Sequence, residues 1–224
     1  MCTTSLICQF INLHQVRPRS CLDRFKMSSS TSELRDQPEC WTKGEYVVST
    51  DVSRIPIKTL NTWYAGEEFY WAKPMPESAL RETLQNSLCF GLYHDPDQTL
   101  SQSVKTPEND ALADSTIEFV GFARCVTDYT TFLFLTDVFV LTSLQGRGLG
   151  TWLVSCVQEV IETMPYLRRS LLLTRDWKRS VPFYEKVMDM ELMVCNPPVD
   201  GKDAVGFAIM QRKSWGAPGV GEKP

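Results

Sequence analysis

The stretch that decides the fold is TFLFLTDVFVLTSLQGRGLG, residues 131–150, which runs directly into TWLVSCVQEVIETM, residues 151–164. Its first half is rich in aromatic and β-branched residues, which predicts a strand over residues 132–141. Its second half is a glycine-rich turn that opens a helix of apolar periodicity. The first turn of a helix has free backbone N–H groups and favours anions, and glycines let a phosphate approach the backbone. The segment therefore predicts a site for a phosphorylated ligand.

Outward from this segment, hydrophobic periodicity predicts a single α/β domain around a mixed sheet. The expected order is one strand, two helices, three strands, a helix, a strand, a helix and two strands. The predicted strands are residues 46–50, 88–93, 117–126, 132–141 and 170–174, one around Val194, and 205–211. The predicted helices begin near Ile57, cover 77–86, begin near Leu149 and cover 180–188.

Composition excludes several classes of protein. The net charge is -4 and the pI is about 5.3, whereas nucleic-acid-binding proteins usually carry a basic face. No apolar run approaches the length that spans a membrane. The chain has 8 cysteines without a C-x-x-C pair and only 2 histidines, so no metal site is expected. We therefore expect neither a nucleic-acid nor a membrane partner.

The ends of the chain differ in composition from the rest. Residues 1–43 are expected to be an N-terminal extension, disordered or targeting, before a domain over 44–213 and a flexible tail over 214–224. Residues 1–22 contain no acidic residue and include Arg17 and Arg19, which is typical of a weak mitochondrial presequence. Alternatively, Met27 is the true start. Buried cysteines suit a reducing compartment, so a cytoplasmic location is expected, with the mitochondrion as the alternative. A polar loop is expected over 95–115.

Three interpretations compete for the glycine loop. The first is a connector without a ligand, the second is a dinucleotide fingerprint, and the third follows from the motif of the loop. The fingerprint requires a glycine at 151, where this chain has Thr151, and a Walker loop requires a Gly-Lys-Ser/Thr sequence that is absent. Gln145-x-x-Gly148-x-Gly150 resembles instead the Q/R-x-x-G-x-G/A motif of the GNAT superfamily of N-acetyltransferases.

A second motif and the order of the elements strengthen this resemblance, which covers about residues 46–212. Phe183-Tyr184-Glu185-Lys186 resembles the late LYEK-x-GF motif of the same family. The family has a glycine after this helix, where the chain turns left-handed, and we expect Asp189 to replace it, because Asp tolerates that conformation better than most residues. The resemblance implies a GNAT fold, with a mixed central sheet of six to seven strands flanked by four helices.

The resemblance also implies acetyl transfer from acetyl-CoA to an amine. The glycine loop would bind the pyrophosphate through its N–H groups, with Arg147 adding positive charge. The strand before it would hydrogen-bond the pantetheine arm through its backbone. The residues expected to bind the cofactor are Val138, Phe139, Val140, Gln145, Gly146, Arg147, Gly148, Leu149 and Gly150.

Tyr184 is the predicted acid that protonates the departing sulfur, since family members often use the tyrosine at this position. Asp137 is the predicted base, acting directly or through water. Its alternative role is that of a hydrogen-bonded carboxylate that fixes the neighbouring loop. Glu118 and Asp128 are weaker candidates, and many relatives have no dedicated base.

The acceptor is expected between the early helices and the hairpin, where Tyr70 and Trp71 are the predicted substrate-binding residues. Aromatic side chains next to Glu67 and Glu68 suit a cationic or aromatic amine. We expect a small-molecule amine as the acceptor. The alternatives are a protein or peptide N-acetyltransferase and a non-catalytic module that binds acyl-CoA. The protein is expected to be a monomer or a homodimer.

Overall fold

A computed structural model describes residues 37–69, 71–98, 100, 116–196, 207–214 and 217 of the chain. In these residues, 8 strands form one sheet in the order β1-β2-β3-β4-β5-β6-β8-β7. Neighbouring strands are antiparallel except β5 and β6, which are parallel. The strands are β1 (Cys40–Lys43), β2 (Tyr46–Ser49), β3 (Leu88–His94), β4 (Glu118–Thr127), β5 (Phe132–Val140), β6 (Arg169–Thr174), β7 (Glu191–Asn196) and β8 (Phe207–Lys213).

Helices cover both faces of the sheet, so the strands alternate between two apolar cores. The helices are α1 (Ile57–Ala65), α2 (Glu77–Gln85), α3 (Leu149–Thr163) and α4 (Trp177–Met188). Along β3, Phe90 and Leu92 belong to the core beneath α3 and α4, while Cys89 and Tyr93 belong to the core beneath α1 and α2. The predicted α/β class, mixed sheet and four helices are confirmed. The sheet has eight strands instead of six to seven.

The additional strand is β1, which the sequence analysis placed in the N-terminal extension. Gly44 has a φ of +59°, and this turn folds residues 40–43 back onto β2. The Trp41 ring lies 6.0 Å from the Phe90 ring, and its Nε1 donates a hydrogen bond to Glu159 on α3 at 2.8 Å. The boundary predicted at residue 44 therefore falls inside a hairpin. Four residues with two polar side chains carry too little periodicity to predict a strand.

Helix α4 begins three residues before the predicted position at Ser180. The Asp176 carboxylate accepts a hydrogen bond from the Arg179 N–H at 3.2 Å, so Asp176 caps the helix. Pro182, which would lie in the first turn of a helix that began at Ser180, therefore lies inside the helix. At the other end, Asp189 has φ 53° and ψ 41°. This left-handed conformation confirms that Asp189 takes the place of the family's glycine.

Several predicted segments lie partly or wholly outside the described residues. These are residues 1–36 of the extension, 99 and 101–115 of the polar loop, and 215–216 and 218–224 of the tail; residues 205–206 of the last predicted strand also lie outside. In the part of the chain that is described, no helix is long and apolar enough to cross a membrane.

The contacts of β1 predict that Trp41 stabilises the fold. Trp41→Ala removes the ring from the core beneath α3 and should lower the free energy of unfolding by about 2 kcal/mol, less than for a fully buried tryptophan because the ring is half-buried. Trp41→Phe keeps most of the ring contact and loses the hydrogen bond, so it should cost about 1 kcal/mol or less. Urea denaturation measures both. Equal stability of Trp41→Ala and the unaltered protein would contradict a structural role for β1.

Candidate active site

Strands β5 and β6 part in the middle of the sheet. They pair from Phe132 with Arg169 to Leu135 with Leu172, and then the pairing stops. Strand β5 remains paired with β4 as far as Val140, and β6 remains paired with β8 as far as Thr174. Within the described residues, the edge of β5 from 136 to 140 therefore has no strand partner on its β6 side. Such an edge offers backbone N–H and C=O groups to an extended ligand that contains amides.

A bulge in β5 lies at the inner end of this cleft. Phe122 pairs with Phe139 and Arg124 with Thr136, so two residues of β5, Asp137 and Val138, oppose one residue of β4. Asp137 has a φ of +52°. The extra residue reverses which side chains face each core.

The reversal decides where Asp137 lies. Before the bulge, Leu133 and Leu135 belong to the core beneath α3, and after it Val138 and Val140 contact that same core. Asp137 lies on the side of α1, where it contacts Tyr64. Asp137 therefore faces away from Val138 and Val140.

The glycine loop lies at the outer end of the cleft. The Gln145 Nε2 donates to the Val140 carbonyl at 3.0 Å and ties the loop to β5. Gly146 and Gly148 have φ values of +78° and +76°, a backbone conformation that residues with a side chain rarely adopt. Helix α3 begins at Leu149, and its first backbone hydrogen bond runs from the Trp152 N–H to the Gly148 carbonyl at 3.0 Å.

The start of α3 leaves a group of donors available. Among the described residues, the N–H groups of residues 146–151 have no backbone acceptor. They belong to the end of the loop and the first turn of a 15-residue helix, whose dipole favours negative charge. The predicted pantetheine edge begins at Val138. The predicted pyrophosphate site follows it along the chain and ends at Gly150.

Asp137 is the centre of a buried hydrogen-bond network. Its side chain is only 7% exposed. Oδ2 accepts from the Arg124 Nε at 2.6 Å and from the Tyr64 hydroxyl at 3.3 Å. Oδ1 accepts from the Trp71 Nε1 at 3.2 Å and from the Thr136 hydroxyl at 3.3 Å. A carboxylate has about four lone-pair positions, so these donors occupy all of them.

The charges of the network follow from its partners. Burial alone would lower the pKa of the Arg124 guanidinium, but the adjacent Asp137 carboxylate outweighs it and raises that pKa. Burial and Asp137 also raise the pKa of the Tyr64 phenol well above its usual value. Near neutral pH, Arg124 is therefore a cation and Tyr64 an uncharged donor. Sequence reasoning missed Arg124, although it interrupts the otherwise apolar run of β4.

The other predicted site residues do not all lie near Asp137. Trp71, 40% exposed, contacts Asp137 directly, so these two candidates are brought together. Tyr70 lies outside the described residues. Glu118 is the first residue of β4 and Asp128 follows its last residue. Both are therefore far from the middle of β4, which lies opposite the bulge of β5. Among the described residues, no group of three or more His, Cys, Asp and Glu side chains is placed to hold a metal ion.

Asp128 has a structural role in the turn between β4 and β5. Burial alone would raise the pKa of its carboxyl. Hydrogen bonds from the Thr131 hydroxyl and from the backbone N–H groups of Thr130, Thr131 and Phe132 outweigh that effect and lower the pKa far below its usual value. Such a carboxylate is a poor base.

Tyr184 lies on α4, seven residues after its first residue, Trp177. Tyr184 is buried, 9% exposed, and packs in the core beneath α3 and α4.

Comparisons with known proteins agree with this geometry. A model of the acetyltransferase (GNAT) family matches residues 62–190. A Gibberella zeae protein named as a putative acetyltransferase is 36% identical over 140 residues, which are 62% of this chain and 77% of the relative. The chain therefore belongs to the GNAT family and is an acyltransferase.

Solved structures share the fold at low sequence identity. An acetyltransferase of the GNAT family from Streptococcus pneumoniae has a TM-score of 0.53 and 11% identity, covering 76% of this chain and 100% of that one. Spermidine N-acetyltransferase from Vibrio cholerae, in complex with CoA and spermine, has a TM-score of 0.52 and 10% identity, covering 76% and 96%. The predicted family and fold are confirmed.

The loop geometry identifies Gly150 as the position for testing the anion site. Unlike Gly148, Gly150 does not have a positive φ, and an added Cβ would meet only Val140 Cγ2 at 3.9 Å. Gly150→Asp places a negative charge in the first turn of α3, where it favours the helix but repels a phosphate. We expect affinity for acetyl-CoA to fall by about 100-fold or more, measured by calorimetry, with thermal stability retained. Gly150→Ala is the control for added bulk. Unchanged affinity in Gly150→Asp would refute the loop as the phosphate site.

Proposed function

We propose that this GNAT-family enzyme transfers the acetyl group of acetyl-CoA to the primary amine of a small molecule. The observation that carries the proposal is the free edge of β5. It leads from the N–H groups at the start of α3 to the bulge at Asp137, where the half-exposed Trp71 stands. A phosphate site, an edge for an extended amide chain and a pocket wall thus follow one another along a single strand and its loop.

The residues present suit coenzyme A. The N–H groups of residues 146–151 have no backbone acceptor and match pyrophosphate oxygens, and the exposed Arg147 adds positive charge. The two amides of pantetheine resemble a peptide and suit the backbone of Val138 to Val140. Bound in this way, acetyl-CoA would supply the acetyl thioester, and the chain would hold it for attack.

Tyr184 is the proposed acid. The amine nitrogen attacks the thioester carbonyl, the carbon–sulfur bond breaks, and the departing sulfur takes the phenolic proton. A phenol ordinarily titrates near 10 and a thiol near 8.5, so a tyrosine and a thiol exchange a proton at small cost. Two observations support this role: Tyr184 is buried, and it belongs to the same apolar core as Val140, with Val138 packed against that core.

The hydrogen bonds of Asp137 bear on which of its two predicted roles it has. With its lone pairs occupied by Arg124, Tyr64, Trp71 and Thr136, the carboxylate has no free position for the proton of an attacking amine. This supports the structural role rather than that of the base. We propose that the amine reacts in its neutral form and releases its proton to water.

The acceptor wall supports a small amine with an apolar or aromatic skeleton. The Trp71 ring lies 4.8 Å from that of Phe69, which is fully buried and in turn contacts Phe139 at 4.4 Å. Trp71 is therefore the exposed end of a row of tilted aromatic rings that extends into the core beneath α1 and α2. A flat aromatic surface binds amines through both their carbon skeleton and their charge.

An amine panel tests the acceptor class. We expect acetyl-CoA-dependent thiol release with tryptamine or benzylamine at a kcat/KM at least about tenfold above that with an N-terminal peptide, because the proposed wall binds a compact ring. Spermidine represents acceptors with several charges. A higher kcat/KM for the peptide would favour the alternative of a protein or peptide N-acetyltransferase, and tight CoA binding without turnover of any amine would contradict the proposed reaction.

Tyr184→Phe tests the acid. Loss of the phenolic proton should lower kcat by about ten- to a thousandfold, with little change in the Kd of acetyl-CoA. Tyr166→Phe is the matched control, since it removes a hydroxyl from a side chain that is 64% exposed. Steady-state kinetics and calorimetry measure the two effects. An unchanged kcat in Tyr184→Phe would remove this residue from the mechanism.

A further inference from the structure

We propose that Arg124 is a positioning residue of the acceptor site, which holds the Asp137 carboxylate and, through it, the Trp71 indole at the inner end of the cleft between β5 and β6. The inference rests on the proposed function, because it assigns the acceptor to that end of the cleft. Arg124 itself is largely buried, its side chain 17% exposed, so it acts through other residues.

The guanidinium is fixed from two sides. Its Nε donates to the Asp137 Oδ2 at 2.6 Å, and its Nη1 donates to the Ser87 hydroxyl at 3.2 Å. Ser87, which is buried, donates in turn to the Thr83 carbonyl of α2 at 2.8 Å. Arg124 thus links the end of α2 to the bulge of β5 through a planar group with a fixed fork of donors.

Asp137 connects the Arg124 guanidinium to the Trp71 indole of the acceptor wall. Its Oδ1 accepts from the Trp71 Nε1 at 3.2 Å, while its Oδ2 accepts from the Tyr64 hydroxyl of α1. Trp71 is the half-exposed member of the network, and Arg124, Asp137 and Tyr64 are the enclosed members. A change at Arg124 therefore alters the surface mainly by changing the position of the Trp71 side chain.

The burial of Asp137 makes this dependence strong. A carboxylate that is 7% exposed is costly to keep charged without a cation beside it. Without Arg124, the side chain would turn towards solvent, where water compensates its charge. That movement weakens the hydrogen bond that holds the Trp71 indole, because the bond depends on the distance and angle between the two groups.

The glycine loop lies outside this network, and this separation makes the proposal testable. The loop is tied to β5 by Gln145 through the Val140 carbonyl, on the far side of Phe139 from the bulge. Loss of Arg124 should therefore affect the acceptor more than the cofactor, of whose proposed binding residues only Val138 belongs to the bulge. A general loss of structure would affect both.

The main experiment compares Arg124→Met, Arg124→Lys and Arg212→Met, using acetyl-CoA and the amine of highest kcat/KM in the panel. We expect Arg124→Met to raise the KM of the amine by about tenfold or more, while the Kd of acetyl-CoA changes by less than about threefold. Arg124→Lys should recover part of the loss, because it keeps the charge but not the fork. Arg212→Met is the matched control. This variant removes a second partly buried arginine, Arg212 on β8, which pairs with Glu162 at 3.8 Å.

The same kinetics define the outcomes that would overturn the proposal. These are an unchanged KM in Arg124→Met, or a KM and a Kd that rise by the same factor. If Arg124→Met does not fold, Ser87→Ala decides, because it removes only the second contact of the guanidinium. A KM raised by about two- to fivefold would support the proposal, and an unchanged KM would overturn it.

A fluorescence measurement separates this proposal from the proposed function, because it needs no turnover. The signal of Trp71 is the difference between a protein and its Trp71→Phe variant. We expect acrylamide to quench that difference about twofold more efficiently when Arg124→Met is also present, since the hydrogen bond that holds the indole is weakened. If the enzyme acetylates none of the amines, the proposed function fails while the quenching still decides the role of Arg124. Equal quenching in both backgrounds would overturn it.

Discussion

The separation of two parallel strands is the constraint on which the rest of the structure depends. Strands β5 and β6 share four register pairs, ending at Leu135 and Leu172, and then diverge, each held on its other side by an antiparallel neighbour. A gap within a sheet exposes backbone groups that would otherwise be paired, and this is costly unless water or a ligand meets them. The fold tolerates the gap because β4 and β8 hold the two halves of the sheet, and helices α3 and α4 cover one face across it.

The bulge at Asp137 decides which side chains lie beside this gap. Without the additional residue, alternation would direct Asp137 into the apolar core beneath α3, together with Leu133 and Leu135. With it, the carboxylate lies on the side of α1, among donors from β4, α1 and the segment around Trp71. A buried carboxylate beside a guanidinium stabilises a fold weakly but fixes geometry well, provided that every polar group is paired. That condition is met for the oxygens of Asp137.

Much of this organisation could be read from the sequence, and the reasons are local. The helical spacing in 151–164 and the apolar runs of β3, β4 and β5 give strong periodicity, and the glycine loop follows from residue types alone. The features that were missed depend on contacts distant in the chain. Strand β1 is held by Trp41 against Phe90 and Glu159, and the bulge depends on the register between Phe122 and Phe139. Arg124 was visible as a charge within an apolar run, but its partner could not be assigned without that register.

The conformations of the loop glycines bear on how such an enzyme changes over evolutionary time. Gly146 and Gly148 have left-handed backbones, so replacing either one strains the chain whether or not a cofactor binds. Gly150 has no positive φ, and the proposed role of its missing side chain is to let the cofactor approach. Drift in a copy released from selection for catalysis should therefore fill position 150 before positions 146 and 148. A descendant that keeps the first two glycines and carries a bulky or acidic residue at the third would be recognisable, from sequence alone, as a protein that has kept the fold and lost the activity.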